Sequence, residues 1–246
     1  MSVEAGGSRV ESAFLFHGTT ATSTHPRRGV SKATLVYEDL RASIIDLDMK
    51  PGAQIDKDEI CDRLGVSRQP LAEAITRLAE DGLVNVEPQK GTFIARIRVA
   101  DVAEATFVRR ALEVATVAAI SPTIDDATLT RLDRVLTYQA AALKTKDWSE
   151  FYLLDIRFHM MLFDRLAMRR VAGAVESSRA PMERARRLLV PAAGRSATTL
   201  REHRAIFAAL TARDGNAAAN AMGKHLDEVM AEVRRFAVRH PDLFEA

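Results

Sequence analysis

Apolar residues recur with a helical period in the first part of the chain, after a start that shows no period. Residues 1–30 are rich in Ser, Thr and Gly, and we expect them to form a disordered arm. The apolar spacing of LVYEDLRASIIDL then predicts a first helix, which ends before Pro51. The segment DKDEICDRLG predicts a second helix, with Asp56 as its cap and Gly65 at its end.

A third helix is predicted for the segment GVSRQPLAEAITRL. Its unexpected residue is Pro70, because a proline inside a helix removes a hydrogen bond and clashes with the preceding turn. Pro70 fits only in the first turn, so we place the N-cap at Ser67 and expect its hydroxyl to accept a first-turn amide. One face of this helix is then apolar, while Arg68, Gln69 and Arg77 lie on the outward side.

Two short β-rich runs follow the third helix, in the segment LVNVEPQKGTFIARI. They flank a Pro-Gln-Lys-Gly turn at residues 88–91, which predicts a β-hairpin. Three helices and a small hairpin are the plan of a winged helix-turn-helix, whose third helix enters the major groove of DNA. Arginine and glutamine side chains suit guanine and adenine edges. We therefore predict that residues 31–97 form a DNA-binding domain.

The rest of the chain has an almost entirely helical pattern. Six stretches separated by proline, glycine and aspartate predict helices at about residues 101–120, 125–144, 148–165, 169–190, 196–213 and 216–238. We expect an all-α bundle over residues 101–240, joined to the first domain by a short linker. The predicted fold class is therefore mainly α, with a winged helix-turn-helix followed by a helical bundle.

Composition and charge narrow the class of protein further. A chain of 246 residues is long enough for two domains. The formal net charge is +2, and residues 31–98 contain ten Lys and Arg against twelve Asp and Glu, so any DNA contact must come from a local basic patch. No apolar run reaches the roughly 20 residues of a membrane helix, and the single cysteine excludes an intramolecular disulfide. These features predict a cytoplasmic protein without a membrane partner.

Three histidines of the second half lie at the edges of apolar stripes. Asp155 and His159 are four residues apart in LLDIRFHMML and share one helix face, while His203 lies in LREHRAIFAAL and His225 in AMGKHLDEVM. If these helices pack together, one carboxylate and three imidazoles converge on a metal ion with positions left open for a ligand. Alternatively, each histidine is a hydrogen-bonded core residue. The spacing alone leaves both interpretations open.

The first domain resembles the GntR family of bacterial transcription regulators over about residues 34–97, through PGAQI, LGVSRQPLAEAITRLAEDGLV and PQKGTFI. The resemblance implies DNA contacts from the recognition helix and the wing tip: Ser67, Arg68, Gln69, Arg77, Lys90 and Gly91. The family commonly has an arginine where this chain has Ala72, so base preference would depend on Arg68, Gln69 and the wing. The alternative is that the arginines are merely solvated and that Lys90 and Gly91 serve the turn.

Residues 101–240 resemble the FCD ligand-binding domain of the FadR subgroup. The segments DIRFH, EHRAIFAAL and KHLDEV match its metal ligands, which implies a divalent cation at Asp155, His159, His203 and His225. The imidazole count favours zinc or nickel. Arg109, in FVRRALEVATVAA, matches an arginine that binds a carboxylate effector beside the metal. The alternative for Arg109 is a buried ion pair with an acid of its own helix.

The match to the FCD domain has two departures. Phe107 stands where glutamate is frequent, and Ala167-Met168 stand where a Gly-Asn pair is frequent. Together the resemblances imply a homodimeric regulator that binds a pseudo-palindromic operator and responds to a small carboxylate. Two further hypotheses are a regulator with a purely structural metal that answers to a partner protein, and a metal-dependent enzyme. We predict no enzyme, because repeated Glu-x-x-His motifs and nucleophile–base pairs are missing near these histidines.

Overall fold

The computed structural model describes residues 30–192 and 194–245, and for residues 176–181 it describes the backbone alone. The predicted arm, residues 1–30, therefore lies outside the described residues except for Val30. Both parts of the predicted fold class are confirmed: a small winged helix-turn-helix is followed by a helical bundle. None of the described helices combines the length and apolarity that a membrane span requires.

The chain divides into two compact units between Ala95 and Arg96. The elements of the first unit are α1 (Lys32–Ile45), α2 (Lys57–Leu64), α3 (Arg68–Glu80), β1 (Val84–Glu87) and β2 (Gly91–Ile94). The two strands pair antiparallel with Val84 opposite Ile94, so the predicted hairpin is present. Helices α1 and α3 pack on each other around a core that includes Leu40 and Leu78.

The starts of α2 and α3 show how local sequence determines these helices. Asp56 caps α2, because its carboxylate accepts the backbone N–H groups of Asp58 and Glu59 at 2.9 and 3.0 Å. Ser67 is the N-cap of α3, but the prediction that its hydroxyl accepts a first-turn amide is wrong. Pro70 is the third residue of α3 and has no N–H, so one of the two amides that an N-cap serine normally bonds is missing.

The second unit contains all six predicted helices, and their ends lie within two residues of the predicted ones. They are α4 (Val99–Ile120), α5 (Asp126–Thr145), α6 (Trp148–Leu166), α7 (Arg169–Leu189), α8 (Arg195–Thr211) and α9 (Gly215–Arg239). The long helix α4 contacts α6, α7 and α9, and α8 packs between α5 and α9. This arrangement brings the inner faces of α4, α6, α8 and α9 toward one region of the bundle.

The predicted linker is partly a strand. Residues Ile97–Arg98 form β3, which pairs in parallel with β4 (Phe244–Glu245) near the C-terminal end. Each strand has only two residues, too few for an alternating pattern to be recognisable in the sequence. Ile97 and Phe244 are both buried in a small apolar cluster with residues of α4, α7 and α9, which attaches the start of the second unit to its end.

Candidate metal centre and DNA interface

The start of α3 carries three of the predicted DNA contacts, and all three are exposed: Ser67, Arg68 and Gln69. Arg68 Nη2 is 2.9 Å from Asp58 Oδ1 of α2, but the two side chains are 82% and 70% exposed. Gln69 Nε2 donates to Glu73 Oε1 at 3.4 Å, one turn along the helix. Exposed pairs of this kind contribute about 0–1 kcal/mol, so these side chains are readily available to another partner.

Arg77 lies where α3 packs on α1. Its guanidinium is 3.9 Å from the centre of the Tyr37 ring, and Nη1 donates to Thr34 Oγ1 at 3.3 Å. Stacking on an aromatic ring fixes the position of the cation while most of its N–H groups remain able to bond. An arginine held in this way is suited to a phosphate contact, which orients a protein on DNA without reading its sequence.

Lys90 and Gly91 lie at the tip of the hairpin. Lys90 Nζ is 3.2 Å from Glu87 Oε2, and both side chains are exposed. Gly91 has φ 132°, a conformation that residues with a side chain rarely adopt. A Cβ at Gly91 would come within 2.6 Å of Gln54 Nε2. Backbone geometry by itself therefore accounts for this glycine, as the alternative interpretation expected.

A groove in the first unit is lined by both parts of the predicted interface. Arg68, Ala72 and Thr76 of α3 lie along it, together with Gly91 and Phe93 of the hairpin. Ala72 occupies the position in this groove where the resembled family commonly has an arginine, so no long cationic side chain projects from that position. The structure thus brings the start of α3 and the wing together in one surface feature.

The four predicted metal ligands are buried side by side in the second unit. Asp155 and His159 come from α6, His203 from α8 and His225 from α9, and each is at most 3% exposed. Nitrogens of the three histidines all lie within 4.8 Å of one another. Asp155 Oδ1 is 3.6 Å from His203 Nε2. The structure therefore brings all four residues to one place.

One buried polar atom of each of these four residues has no hydrogen-bond partner in the described part of the chain. These atoms are Asp155 Oδ1 and the Nε2 atoms of His159, His203 and His225. An unsatisfied buried polar atom costs about 1–3 kcal/mol, and core residues normally avoid it. Four such atoms at one point are therefore poorly explained by structural histidines. A carboxylate and three imidazoles are a donor set that fits a divalent transition metal.

The opposite nitrogen of each imidazole is hydrogen bonded. His159 Nδ1 lies 2.5 Å from Glu113 Oε2. His203 Nδ1 lies 3.0 Å from Gln139 Oε1, and His225 Nδ1 lies 2.8 Å from Glu202 Oε2. Since an ionised carboxylate only accepts, the two glutamates require the proton on Nδ1 and leave the Nε2 lone pair directed into the cluster. Metal-binding histidines usually have such an outer partner, which fixes the ring and raises its basicity.

Burial and neighbouring charges control the ionisation of the cluster. Burial, followed by the charge of His225, lowers the pKa of His203 well below its usual value, and burial and His159 do the same for His225. Burial alone would raise the pKa of Asp155, but Arg186 and the neighbouring histidines hold that pKa well below its ordinary range. Neutral imidazoles and an ionised carboxylate are the forms that bind a metal.

Arg109 on α4 is paired with an acid of its own helix. Its Nε atom is 2.6 Å from Glu113 Oε1, and the two side chains are 4% and 1% exposed. Burial alone would raise the pKa of Glu113, but Arg109 and His159 hold that pKa well below its ordinary range. Among the described residues, the only other hydrogen bond of the guanidinium joins Nη1 to Met182 Sδ at 3.9 Å. Because a thioether is a weak acceptor, Arg109 retains donor groups for a carboxylate.

Both departures from the FCD pattern lie at positions that the structure describes. Ala167 follows α6 with φ 57°, a left-handed conformation that glycine adopts more easily, and Met168 beside it is 56% exposed. Phe107 on α4 is 75% exposed, which is unusual for a large aromatic side chain. None of these three residues is among the four that converge in the cluster.

Sequence reasoning missed the residues that hold the ligands in place. Glu113 could have been found, because it lies four residues after Arg109 on the same helix face. Glu202 directly precedes His203, and neighbours in a helix point about 100° apart, so its bond to His225 was not visible in the sequence. Arg186 pairs with Asp155 but is one of several arginines in the segment ERARRLL, and nothing in that segment distinguishes it.

A helix-turn-helix with a wing, in one chain with a helical domain that contains a buried Asp-His cluster, defines a DNA-binding transcription regulator. Two family models match the chain: "Bacterial regulatory proteins, gntR family" over residues 32–94 and "FCD domain" over residues 104–228. The chain therefore belongs to the GntR family of bacterial regulatory proteins and carries an FCD domain. It is a transcription regulator, as expected, and not an enzyme.

Similar proteins agree with this assignment. The chain is 31% identical over 226 residues to the HTH-type transcriptional repressor RspR of Escherichia coli K12, covering 92% of this chain and 98% of RspR. A solved putative transcriptional regulator GntR from Rhodococcus sp. RHA1 has 28% identity and a TM-score of 0.68, over 84% of this chain and 99% of that one. E. coli McbR/YncC, at 21% identity and a TM-score of 0.64, shares the fold over 84% of this chain and 98% of its own.

Proposed function

We propose that this protein is a homodimeric, cytoplasmic transcription regulator whose FCD domain binds a divalent metal ion and, through it, a small organic acid. The observation that carries the proposal is the convergence of four buried atoms that lack a hydrogen-bond partner among the described residues, one each from Asp155, His159, His203 and His225. Zinc or nickel suits three imidazoles and one carboxylate best. The outer hydrogen bonds to the imidazoles already hold the lone pairs in the required direction.

The same site explains why the effector would be an acid. A bound divalent ion would supply a Lewis acid that attracts a carboxylate into its open coordination positions. Arg109, with donor groups not used by Glu113, would bind the same ligand through charge-assisted hydrogen bonds. The ion pair to Glu113 and a contact to the effector are compatible, because a guanidinium has five N–H groups.

At the operator, the exposed start of α3 would contact base edges, and the rest of the interface would bind the sugar-phosphate backbone of the DNA. We assign Arg68 and Gln69 to base edges, and Ser67, Arg77, Lys90 and Gly91 to phosphate contacts. A homodimer would place its two α3 helices in successive major grooves of a pseudo-palindromic operator. For the acid to act as a switch, it must bind one dimer arrangement more tightly than another, since equal affinity shifts nothing.

Metal analysis of the purified protein, followed by chelation, tests the metal site. We expect about one metal ion per chain and a clear loss of thermal stability on chelation, since a ligand at about 100 times its Kd contributes roughly 2.7 kcal/mol. His203→Ala should abolish metal uptake, whereas His240→Ala, a change at a histidine outside the cluster, should leave it intact. Protein that stays metal-free after reloading and melts at the same temperature with and without zinc would contradict the site.

Thermal-shift screening of the metal-loaded protein with small carboxylates tests the effector. A stabilising acid that also changes operator affinity would support the sensor. A metal-loaded protein that no acid stabilises would favour the alternative of a purely structural metal and a response to a partner protein.

A further inference from the structure

Three arginine–carboxylate pairs surround the histidine cluster. Arg109 Nε is 2.6 Å from Glu113 Oε1, Arg195 Nη2 is 3.0 Å from Glu202 Oε2, and Arg186 Nη2 contacts Asp155 Oδ2. The three arginines come from α4, α8 and α7, and each is at most 9% exposed. Each carboxylate therefore has its own buried counter-charge.

The three carboxylates are the same groups that position or form the ligand set. Glu113 and Glu202 accept Nδ1–H of His159 and His225, and Asp155 is itself a ligand in the proposed site. Gln139, which bonds the third imidazole, is neutral. Among the described side chains, every acid in direct contact with the cluster is thus already balanced by an arginine.

One further buried arginine does not change this balance. Arg184 lies on α7 two residues before Arg186, and two residues are about 200° apart around a helix. Since the side chain of Arg186 contacts Asp155, Arg184 leaves α7 on nearly the opposite side. Among the contacts described for the ligands and their partners, the charged groups are therefore three carboxylates and three arginines.

From this balance we infer that the effector carries two negative charges, as a dicarboxylate or as an acid with a second ionised group; the inference rests on the proposed metal-dependent function. With a metal on their Nε2 atoms the three imidazoles are neutral, and the three pairs balance one another, so the described side chains leave the two charges of a divalent ion without compensation. An uncompensated charge in a buried region is costly, so the region favours a ligand that supplies the missing charge. A ligand with one negative charge would neutralise only half of this excess positive charge.

Isothermal titration of zinc-loaded protein with two acids of nearly equal shape tests the inference. The probes are malonate, a dianion near neutral pH, and malonamate, its monoamide and a monoanion. We expect malonate to bind about tenfold or more tightly, a difference of about 1.4 kcal/mol. Metal content is measured in the same samples, so that loss of zinc is not mistaken for loss of the acid.

Two variants of Arg186 separate charge from contact. In Arg186→Gln the charge of Asp155 is no longer balanced, so the malonate preference should fall toward unity, mainly through weaker malonate binding. Arg186→Lys keeps the charge and should keep most of the preference. If Arg186→Gln instead weakens both acids equally, Arg186 acts as a direct ligand contact and the charge balance is not the cause.

The possible failures can be told apart. Equal affinity of the wild-type protein for malonate and malonamate, with zinc bound, would overturn the dianion inference and leave the metal-dependent sensor standing. Zinc uptake without binding of either acid, or no zinc uptake at all, would contradict the proposed function and the inference together.

Discussion

The two units of this protein use the same chemical pair in opposite environments. In the DNA-binding unit, Arg68 and Asp58 lie 2.9 Å apart with side chains 82% and 70% exposed. In the FCD unit, Arg109 and Glu113 lie 2.6 Å apart with side chains 4% and 1% exposed. An exposed pair is easily exchanged for another partner, whereas a buried pair is fixed because neither charge can return to water. The first arrangement suits a surface that binds DNA and the second a site that must keep its shape.

The largest expected effect comes from removing the arginine of the buried pair, and removing the arginine of the exposed pair is its control. Arg109→Ala leaves Glu113 buried without its counter-charge and should lower the free energy of unfolding by about 3–5 kcal/mol. Arg68→Ala, its matched exposed change, should alter that free energy by no more than about 0.5 kcal/mol. Urea denaturation monitored by circular dichroism, on protein with equal metal content, measures the free energy of unfolding of both variants.

A double variant identifies the cause of the loss. Arg109→Met combined with Glu113→Gln removes both charges and should recover much of the stability lost in Arg109→Ala. If Arg109→Ala and Arg68→Ala were equally mild, the contrast between the buried and the exposed pair would be wrong.

The same contrast explains what the sequence could predict. Helix positions were predictable to within two residues in the FCD unit, because apolar periodicity and the punctuation by proline, glycine and aspartate are local properties. Asp155 and His159 share a face by spacing alone. The bonds that Glu113, Gln139 and Glu202 make to the imidazoles were not predictable, because each joins residues at least 23 positions apart along the chain. Such pairs depend on how the helices pack, and no single segment encodes that.

The hydroxyl of Ser67 shows the converse case, in which a local rule was applied too simply. The rule that serine caps a helix correctly placed the N-cap. It did not allow for Pro70, which removes one of the amides that the hydroxyl could bond. Local chemistry therefore predicted the position of the helix start but not its hydrogen bonding.

The next largest effect concerns an outer partner of the metal ligands. Glu202→Gln keeps an acceptor for His225 Nδ1–H but removes the negative charge that strengthens this hydrogen bond. Changes of such partners typically cost about 10–100-fold in metal affinity. Competition of the purified protein against a zinc chelator of known affinity measures the change. Glu228→Gln, three residues after His225 on the exposed surface of α9, is the control and should leave zinc affinity unchanged.

A spectroscopic measurement distinguishes positioning from general loosening of the fold. In wild-type protein, nitrogen chemical shifts should show the proton of His225 on Nδ1. In Glu202→Gln this preference should weaken. Arg195→Gln breaks the same buried pair but keeps the Glu202 carboxylate, so it should leave the proton of His225 on Nδ1. An unchanged zinc affinity would remove Glu202 from the site.

An effect of similar size, on DNA binding instead of metal binding, is expected at the start of α3. Arg68→Ala should weaken operator binding by about 1–3 kcal/mol and relax specificity at the contacted base pair. Asp58→Asn, which releases Arg68 from its exposed pair, should leave operator affinity equal or slightly higher. Fluorescence anisotropy with operator DNA measures both, and a loss in Asp58→Asn as large as that in Arg68→Ala would show that the pair itself is the binding feature.

The smallest effect is expected at the wing. Lys90 is exposed, and among the described residues its side chain pairs only with Glu87, so its removal should not disturb the hairpin. If its charge contacts a phosphate, Lys90→Ala should weaken operator and unrelated DNA about equally, and should reduce the slope of log affinity against log salt by about 1. Lys90→Arg keeps the charge and should keep the slope. An unchanged slope in Lys90→Ala would return Lys90 to the role of a turn residue, and the wing would then contribute shape rather than charge to the interface.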